Sequence, residues 1–187
     1  MKTLKSERII YIPLNGKIFK DVFPLFNTPA VLDTMGWNYP LDEEEQRSFF
    51  KKGPERASRG EEYHFILVQD TTEKITGMCS LLGVDKIRRK AELGYWLVPE
   101  ARGKGLAFEA SRFVMDFAFG EIGLHKLWAE TLSTNKKSGS LLLRLGFKRV
   151  GILRKELFKN GEWRDRVVYD YLPEDDACVG SISLQET

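Results

Sequence analysis

Cysteine and histidine are scarce in this chain of 187 residues, with two of each. Cys79 and Cys178 lie far apart in different surroundings, which indicates neither a disulfide framework nor, with only His64 and His125 to help, a zinc site. No metal is expected. Reduced thiols suit a cytoplasmic location. Long apolar runs are also missing. Lys2, Lys5 and Arg8 precede an apolar stretch at residues 9–12 that Pro13 ends, too short for a signal peptide. No later run approaches the roughly 18 apolar residues of a membrane span, so no membrane is expected as a partner. Charge of one sign is not in excess either: 29 basic and 27 acidic residues give +2. No global field marks a nucleic-acid binder, and Arg88-Arg89-Lys90 is a short solvated run. Internal repeats and Pro/Gly/Ser linkers are absent, so one domain is expected over residues 1–172, with 173–187 a loosely ordered tail.

What is present is a run of alternating strand and helix signals. Residues 8–12 read as a strand stopped by Pro13, and 16–26 as a short helix with Ile18, Val22, Leu25 and Phe26 on one side. Residues 27–40 are irregular. A second helix is expected after Leu41, capped by Asp42, with Glu43 to Glu45 in the first turn and an end near Gly53-Pro54. Residues 55–62 then read as a loop or a frayed turn. Tyr63 to Gln69 and Ile75 to Leu82 make a hairpin across a turn at 71–74. A strand opens at Glu92, and residues 106–119 follow helical spacing up to Gly120. Residues 127–132 are a strand, Ser133-Thr134-Asn135 caps a helix containing Leu141 to Leu143, and Gly146 stops it. Residues 147–153 and 164–171 are the last strands, with Asn160-Gly161 a strong hairpin signal between them. The pattern implies an α/β (α+β) fold around a mixed sheet.

The stretch ELGYWLVPEARGKGLA, residues 92–107, organises this pattern. A strand ends at Pro99, and Arg102-Gly103-Lys104-Gly105 forms a turn at a helix start, where free amides and the positive helix end suit an anionic group. Two nucleotide motifs are excluded. A phosphate-binding loop needs Gly-Lys-Ser/Thr, but Lys104 precedes Gly105 and Leu106; a dinucleotide fingerprint needs a small residue where Phe108 stands.

With its neighbours, this stretch resembles the GNAT acetyltransferases, which move an acetyl group from acetyl-CoA to an amine. Arg102, Gly105 and Ala107 occupy the signature places of the family's Arg/Gln-x-x-Gly-x-Gly/Ala motif. The helix with Phe113, Phe117 and Ala118, the run Asn135-Lys136-Lys137-Ser138, the stop Leu145-Gly146-Phe147 and the closing GILRKELFKNGEWRDRVVYDYL extend the match over residues 8–172. Among GNAT enzymes the chain looks most like the Rim type (RimJ/RimL), described as acting on ribosomal-protein N-termini. The resemblance implies a mostly antiparallel central sheet with a splayed strand pair and helices on both faces.

It also implies roles. The backbone of Leu97 and Val98 pairs with the pantetheine arm, and the amides of Arg102, Gly103, Lys104, Gly105, Leu106 and Ala107 receive the pyrophosphate. Arg102 and Lys104 side chains add attraction or face water. The Val98 amide is the expected donor to the thioester carbonyl. Asn135 caps its helix, and its amide nitrogen is available to the cofactor arm. Glu92 is the expected base, directly or through water, with a solvent-facing carboxylate as the plain alternative. Many GNAT enzymes carry a tyrosine acid on the helix after the asparagine; this helix has none, and Ser138 is the expected substitute. Tyr169 and Tyr171 read as packing residues. Trp37 and Tyr39, with Asn38, Phe49 and Phe50, either line a mouth for an extended peptide or, for the aromatics, pack the core or a lid.

The expected partners are thus acetyl-CoA and an amine acceptor, a protein or peptide N-terminus, with a homodimer left open. Freeing a lysine-like amine of pKa ~10.4 at pH 7 costs about 4.6 kcal/mol, against about 1 for an α-amine near 7.8. A small-amine acceptor (polyamine, aminoglycoside or amino acid) and a non-catalytic acyl-CoA-binding module are the alternatives.

Overall fold

The computed structural model describes residues 4–175. In chain order it contains β1 (Leu4–Lys5), β2 (Ile9–Pro13), α1 (Phe19–Phe26), α2 (Pro29–Leu32), α3 (Glu43–Arg59), β3 (Tyr63–Gln69), β4 (Ile75–Asp85) and β5 (Lys90–Leu97). There follow α4 (Leu106–Asp116), extended by a π-turn at Phe117–Glu121, then β6 (Lys126–Leu132), α5 (Lys136–Arg144), β7 (Lys148–Lys159) and β8 (Glu162–Tyr171). The strands form one sheet in the order β1-β2-β3-β4-β5-β6-β8-β7. Every neighbouring pair is antiparallel except β5 with β6.

Helices cover both faces, because successive strand residues point to opposite sides and both sets are apolar. On one face Tyr11 stacks on Phe113 of α4 at 3.9 Å between ring centroids, and Phe65 meets Phe117 edge-on at 5.4 Å. On the other face Phe26 of α1 lies against Trp96 at 4.9 Å, and Phe49 of α3 against His64 at 5.0 Å. Tyr11, Phe19, Phe50 and Tyr171 are among the largest fully buried side chains. Each apolar group of this size contributes on the order of 2 kcal/mol by leaving water. Tyr169 and Tyr171 are core residues, at 7% and 1% exposure.

Four elements depart from the sequence reading. α3 runs through Pro54 to Arg59 and ends at Gly60, whose φ of 69° closes the helix through its N–H on the Ala57 and Arg56 carbonyls. The proline costs one helical bond. The Asp42 cap, the buried Phe50 and the pairs Arg47–Glu43 and Arg59–Glu55 outweigh it, and a Cβ at Gly53 would sit 3.1 Å from Leu14, so the glycine admits close packing there. Residues 55–59 are therefore helix, not loop. α2 and the short β1 carry too little periodicity to be read from sequence. β7 is longer than expected and pairs with β8 across a turn in which Asn160 and Gly161 both have positive φ, 50° and 80°, as a tight hairpin turn requires. Beyond the turn at Pro173–Asp175, the expected tail and Cys178 lie outside the described residues. Among the described residues, no helix is long and apolar enough to cross a membrane.

Candidate active site

The site begins where the parallel pair opens. β5 and β6 pair only through Lys90–Lys126, Ala91–Leu127 and Glu92–Trp128. Beyond that point β5 stays with β4 as far as Leu97–Gly77, while β6 stays with β8 as far as Leu132–Arg166. Each strand is held by its outer neighbour, so the inner edges separate. A cleft of about 780 Å³ occupies the gap.

Ladder parity decides which backbone groups face it. Val98 donates its N–H to the Thr76 carbonyl at 2.9 Å. In an antiparallel ladder alternate residues turn toward the same neighbour. Trp96 and Gly94 therefore also face β4, whereas Tyr95 and Leu97 turn their amides toward the gap. The expected use of the Val98 amide is corrected by this geometry: it is already bonded, the side chain is buried, and the amide aimed into the cleft is that of Leu97.

At the end of β5 lies the glycine turn, where Arg102 departs from both expectations and Lys104 follows the one that has it face water. The Arg102 N–H donates to the Pro99 carbonyl, and its guanidinium donates to the Leu97 carbonyl at 3.0 Å and the Ala30 carbonyl at 2.9 Å. Arg102 is thus a strut holding the turn to β5 and α2, not a free cation. Lys104 is exposed and lies outside the cleft lining; its carbonyl accepts from Arg8, whose guanidinium is in turn paired with Glu109. Among the described residues, the N–H groups of Gly103 to Ala107 have no backbone acceptor, as expected at a helix start. Gly103 and Gly105 adopt φ of 75° and 80°, a conformation that turns these amides outward at little cost only for glycine.

Asn135 caps α5, its Oδ1 accepting from the Ser138 N–H at 3.1 Å. Its Nδ2 donates to the Thr34 carbonyl at 3.1 Å, so one of the two amide protons expected to be available is committed. Ser138 lines the cleft, and its Oγ lies 2.8 Å from the Tyr95 hydroxyl. Tyr95 was not singled out in the sequence. It is a strand residue, and nothing local to it announces that α5 will bring a serine to its phenol. Burial pushes that phenol well above the ordinary range, so it keeps its proton.

Glu92 lines the same cleft from the opposite sheet face, three residues away from Tyr95 on an alternating strand. Burial, and then the charge of Glu130, raise its carboxyl to about 7, against a smaller opposing influence from Arg166. Glu130 and Arg166, joined to each other as an ion pair, are the other residues the sequence did not point to. The register explains them: Glu130 follows Trp128 by two on β6, and Arg166 pairs with Leu132 across β8, which places all three on one face.

Of the expected acceptor residues, Trp37 lines the cleft at 43% exposure. Tyr39 does not. After Trp37 the chain is drawn back by the Leu41 N–H bonding the Asn27 side chain, which leaves Tyr39 outside at 51% exposure. Phe50 is core and Phe49 packs on His64 under the Arg56 guanidinium, so neither forms a mouth.

A family model described as "Acetyltransferase (GNAT) domain" matches residues 8–148. The chain belongs to the GNAT acetyltransferases. A probable N-acetyltransferase of Bacillus subtilis, YjcK, is 36% identical over 134 residues, covering 71% of this chain and 74% of that protein. A spermidine N(1)-acetyltransferase of Escherichia coli is 34% identical over 91 residues, 49% of each chain. An Escherichia coli enzyme named for the alanine of ribosomal protein uS5 is 32% identical over 111 residues, 59% of this chain and 57% of that one. This GNAT chain is an N-acetyltransferase that uses acetyl-CoA. Its residues fit that donor: unbonded amides at the start of α4 suit a pyrophosphate, and the open edge of β5 suits an amide-bearing arm.

Proposed function

We propose that the acetyl acceptor of this GNAT enzyme is the α-amine of a protein or peptide N-terminus. The observation that carries this reading is Glu92, a cleft carboxyl raised to about 7 by burial and by Glu130. Passing a proton from an α-amine of pKa ~7.8 to such a base costs about 1 kcal/mol, whereas a lysine-like amine of ~10.4 costs about 4.6. The site is matched to a weakly basic amine.

Gly103 to Ala107 hold the pyrophosphate on their amides, and the open edge of β5 holds the arm. Bound there, acetyl-CoA supplies the activated thioester. The Leu97 N–H is the donor that polarises its carbonyl. Glu92 takes the proton of the incoming amine, directly or through one water. On the other face, Ser138 with Tyr95 behind it delivers a proton to the departing sulfur. Base and acid thus work from opposite sides of the sheet, reaching each other's substrates through the splay. Trp37 lines the acceptor approach.

A polyamine acceptor is the second reading, favoured by the similarity to spermidine acetyltransferases. The cleft's charge disfavours it: with Arg166 and Glu130 paired to each other and Arg102 spent on carbonyls, Lys136, Lys137 and Arg144 line it against Glu92. Incubation with acetyl-CoA and a panel of N-terminal peptides, spermidine and spermine, read by mass spectrometry and thiol release, tests the proposal. Peptide N-termini are expected to be acetylated with the higher kcat/KM. Faster turnover of spermidine than of every peptide overturns it.

A further inference from the structure

Lys159, at the end of β7, is 5% exposed, and its ammonium has three donors. All three are matched: Nζ donates to the carbonyls of Leu32, Met35 (2.9 Å) and Trp37 (2.6 Å). One residue on, the Asn160 N–H donates to the Asn38 side chain at 3.2 Å. The segment these bonds gather, residues 32–38, has no strand or α-helix beyond the end of α2, yet Thr34, Met35, Gly36 and Trp37 form one wall of the cleft. A segment lacking ladder bonds must satisfy its buried carbonyls elsewhere. Here one buried cation serves the Met35 and Trp37 carbonyls and adds to the Met35 N–H bond on Leu32, from more than 120 positions along the chain.

The segment is also pressed onto the catalytic face. A Cβ at Gly36 would lie 2.6 Å from Arg166 Nη2, and Arg166 is paired with Glu130. On its other side Thr34 accepts from Asn135 and Ala30 from Arg102. The donor half therefore has its own ties to this segment, near its start. Lys159 supplies the ties at the end that carries Trp37.

We propose that Lys159 is a positioning residue for the acceptor: its ammonium fixes residues 32–37 so that Trp37 and Gly36 form the wall against which the amine-bearing substrate is aligned with Glu92. The proposal rests on the reading that the acceptor enters past Trp37. None of the three Lys159 bonds involves Gly103 to Ala107 or the edge of β5, and the donor half keeps its own ties through Asn135 and Arg102, so the effect is expected on the acceptor.

The test is Lys159→Met, with Lys159→Ala for chemical rescue. For Lys159→Met, kcat/KM for the acceptor is expected to fall about 10-fold or more, a misplacement effect. The Kd for CoA, by calorimetry, is expected to stay within about threefold of wild type. Hydrogen exchange over residues 32–38 is expected to quicken. In Lys159→Ala, ethylammonium chloride restores acceptor turnover, while tetraethylammonium, which has no N–H donor, does not. An unchanged acceptor kcat/KM overturns the proposal. So does an equal loss of CoA affinity, equal rescue by both cations, or a chain that fails to fold with and without ethylammonium, since each assigns Lys159 to stability alone or to nothing. Wild-type turnover on peptide and on spermidine is measured alongside. Peptide turnover absent from the wild type removes the α-amine reading, whereas intact wild-type turnover with an unaltered variant removes only the role of Lys159.

Discussion

The Tyr95 hydroxyl and Ser138 Oγ lie 2.8 Å apart and join the free edge of β5 to the first turn of α5. The bond crosses the open side of the splay, on the face opposite Glu92. A serine hydroxyl alone is a poor acid; burial keeps the phenol protonated, so it can donate a hydrogen bond to Ser138 Oγ while Ser138 donates to the leaving sulfur. Ser138→Ala is expected to lower kcat by roughly 10²-fold, the lower end of general-acid effects, and Tyr95→Phe by less. Because the two act as one unit, the double variant should be little worse than Ser138→Ala. Steady-state thiol release by the three variants checks this, and additive losses would separate the pair.

The pH profile follows from Glu92. With its carboxyl at about 7, kcat/KM should rise with pH and level off above that value. The amine's own ionisation adds a limb in the same direction, so position alone does not identify the base. Glu130→Gln does. Glu130 raises the Glu92 carboxyl, and its removal leaves Arg166 to lower it further, so the limb should move to lower pH, which no property of the amine can cause. A limb unmoved by Glu130→Gln would count against Glu92 as the titrating group.

Much of this site was legible from residues 92–107 and 135–138, because a glycine turn at a helix start and an asparagine cap are local devices with local signatures. The misses turn on register, sheet order and tertiary hydrogen bonds. Whether Val98 or Leu97 offers its amide depends on the parity of the β4–β5 ladder, set by the Val98–Thr76 bond. Arg166 reaches the cleft because β8 lies beside β6, and Lys159 holds the cleft's wall from β7 beyond it, a sheet order that chain order does not announce. α5 carries no tyrosine, and the phenol beside Ser138 comes from β5, across a contact that neither segment announces. In the fold, Pro54 misled for a related reason: tertiary packing of Phe50 and Gly53 overrode a local breaker.

The turn offers a test of strut against cation. Arg102 spends its guanidinium on the carbonyls of Leu97 and Ala30. Arg102→Lys retains the charge but cannot span both carbonyls with a rigid fork. If attraction to phosphate were its role, lysine would serve nearly as well as arginine. As a strut, both Arg102→Lys and Arg102→Ala should raise the Kd for CoA by about 10-fold, equivalent to about 1.4 kcal/mol. Calorimetry on the two variants distinguishes the cases.

The raised Glu92 carboxyl also makes a stability prediction that needs no substrate. Its folded pKa of about 7 lies above the ordinary 4.5. Between those values the folded chain binds more protons at this site than the unfolded chain, so Glu92 makes stability fall as pH rises through the window. Above about 7 the penalty is complete, at most about 3 kcal/mol from 1.36 kcal/mol per unit, and less where water reaches the carboxyl. Glu92→Gln removes a charge that the fold disfavours and keeps the shape. Its urea unfolding free energy should match wild type near pH 4.5 and exceed it by about 1–3 kcal/mol at pH 8, while turnover collapses. Taking the difference between the two proteins at each pH cancels the other carboxylates. Equal curves at both pH values would show that the cleft does not hold Glu92 in its neutral form, and the base assignment would lose its physical support.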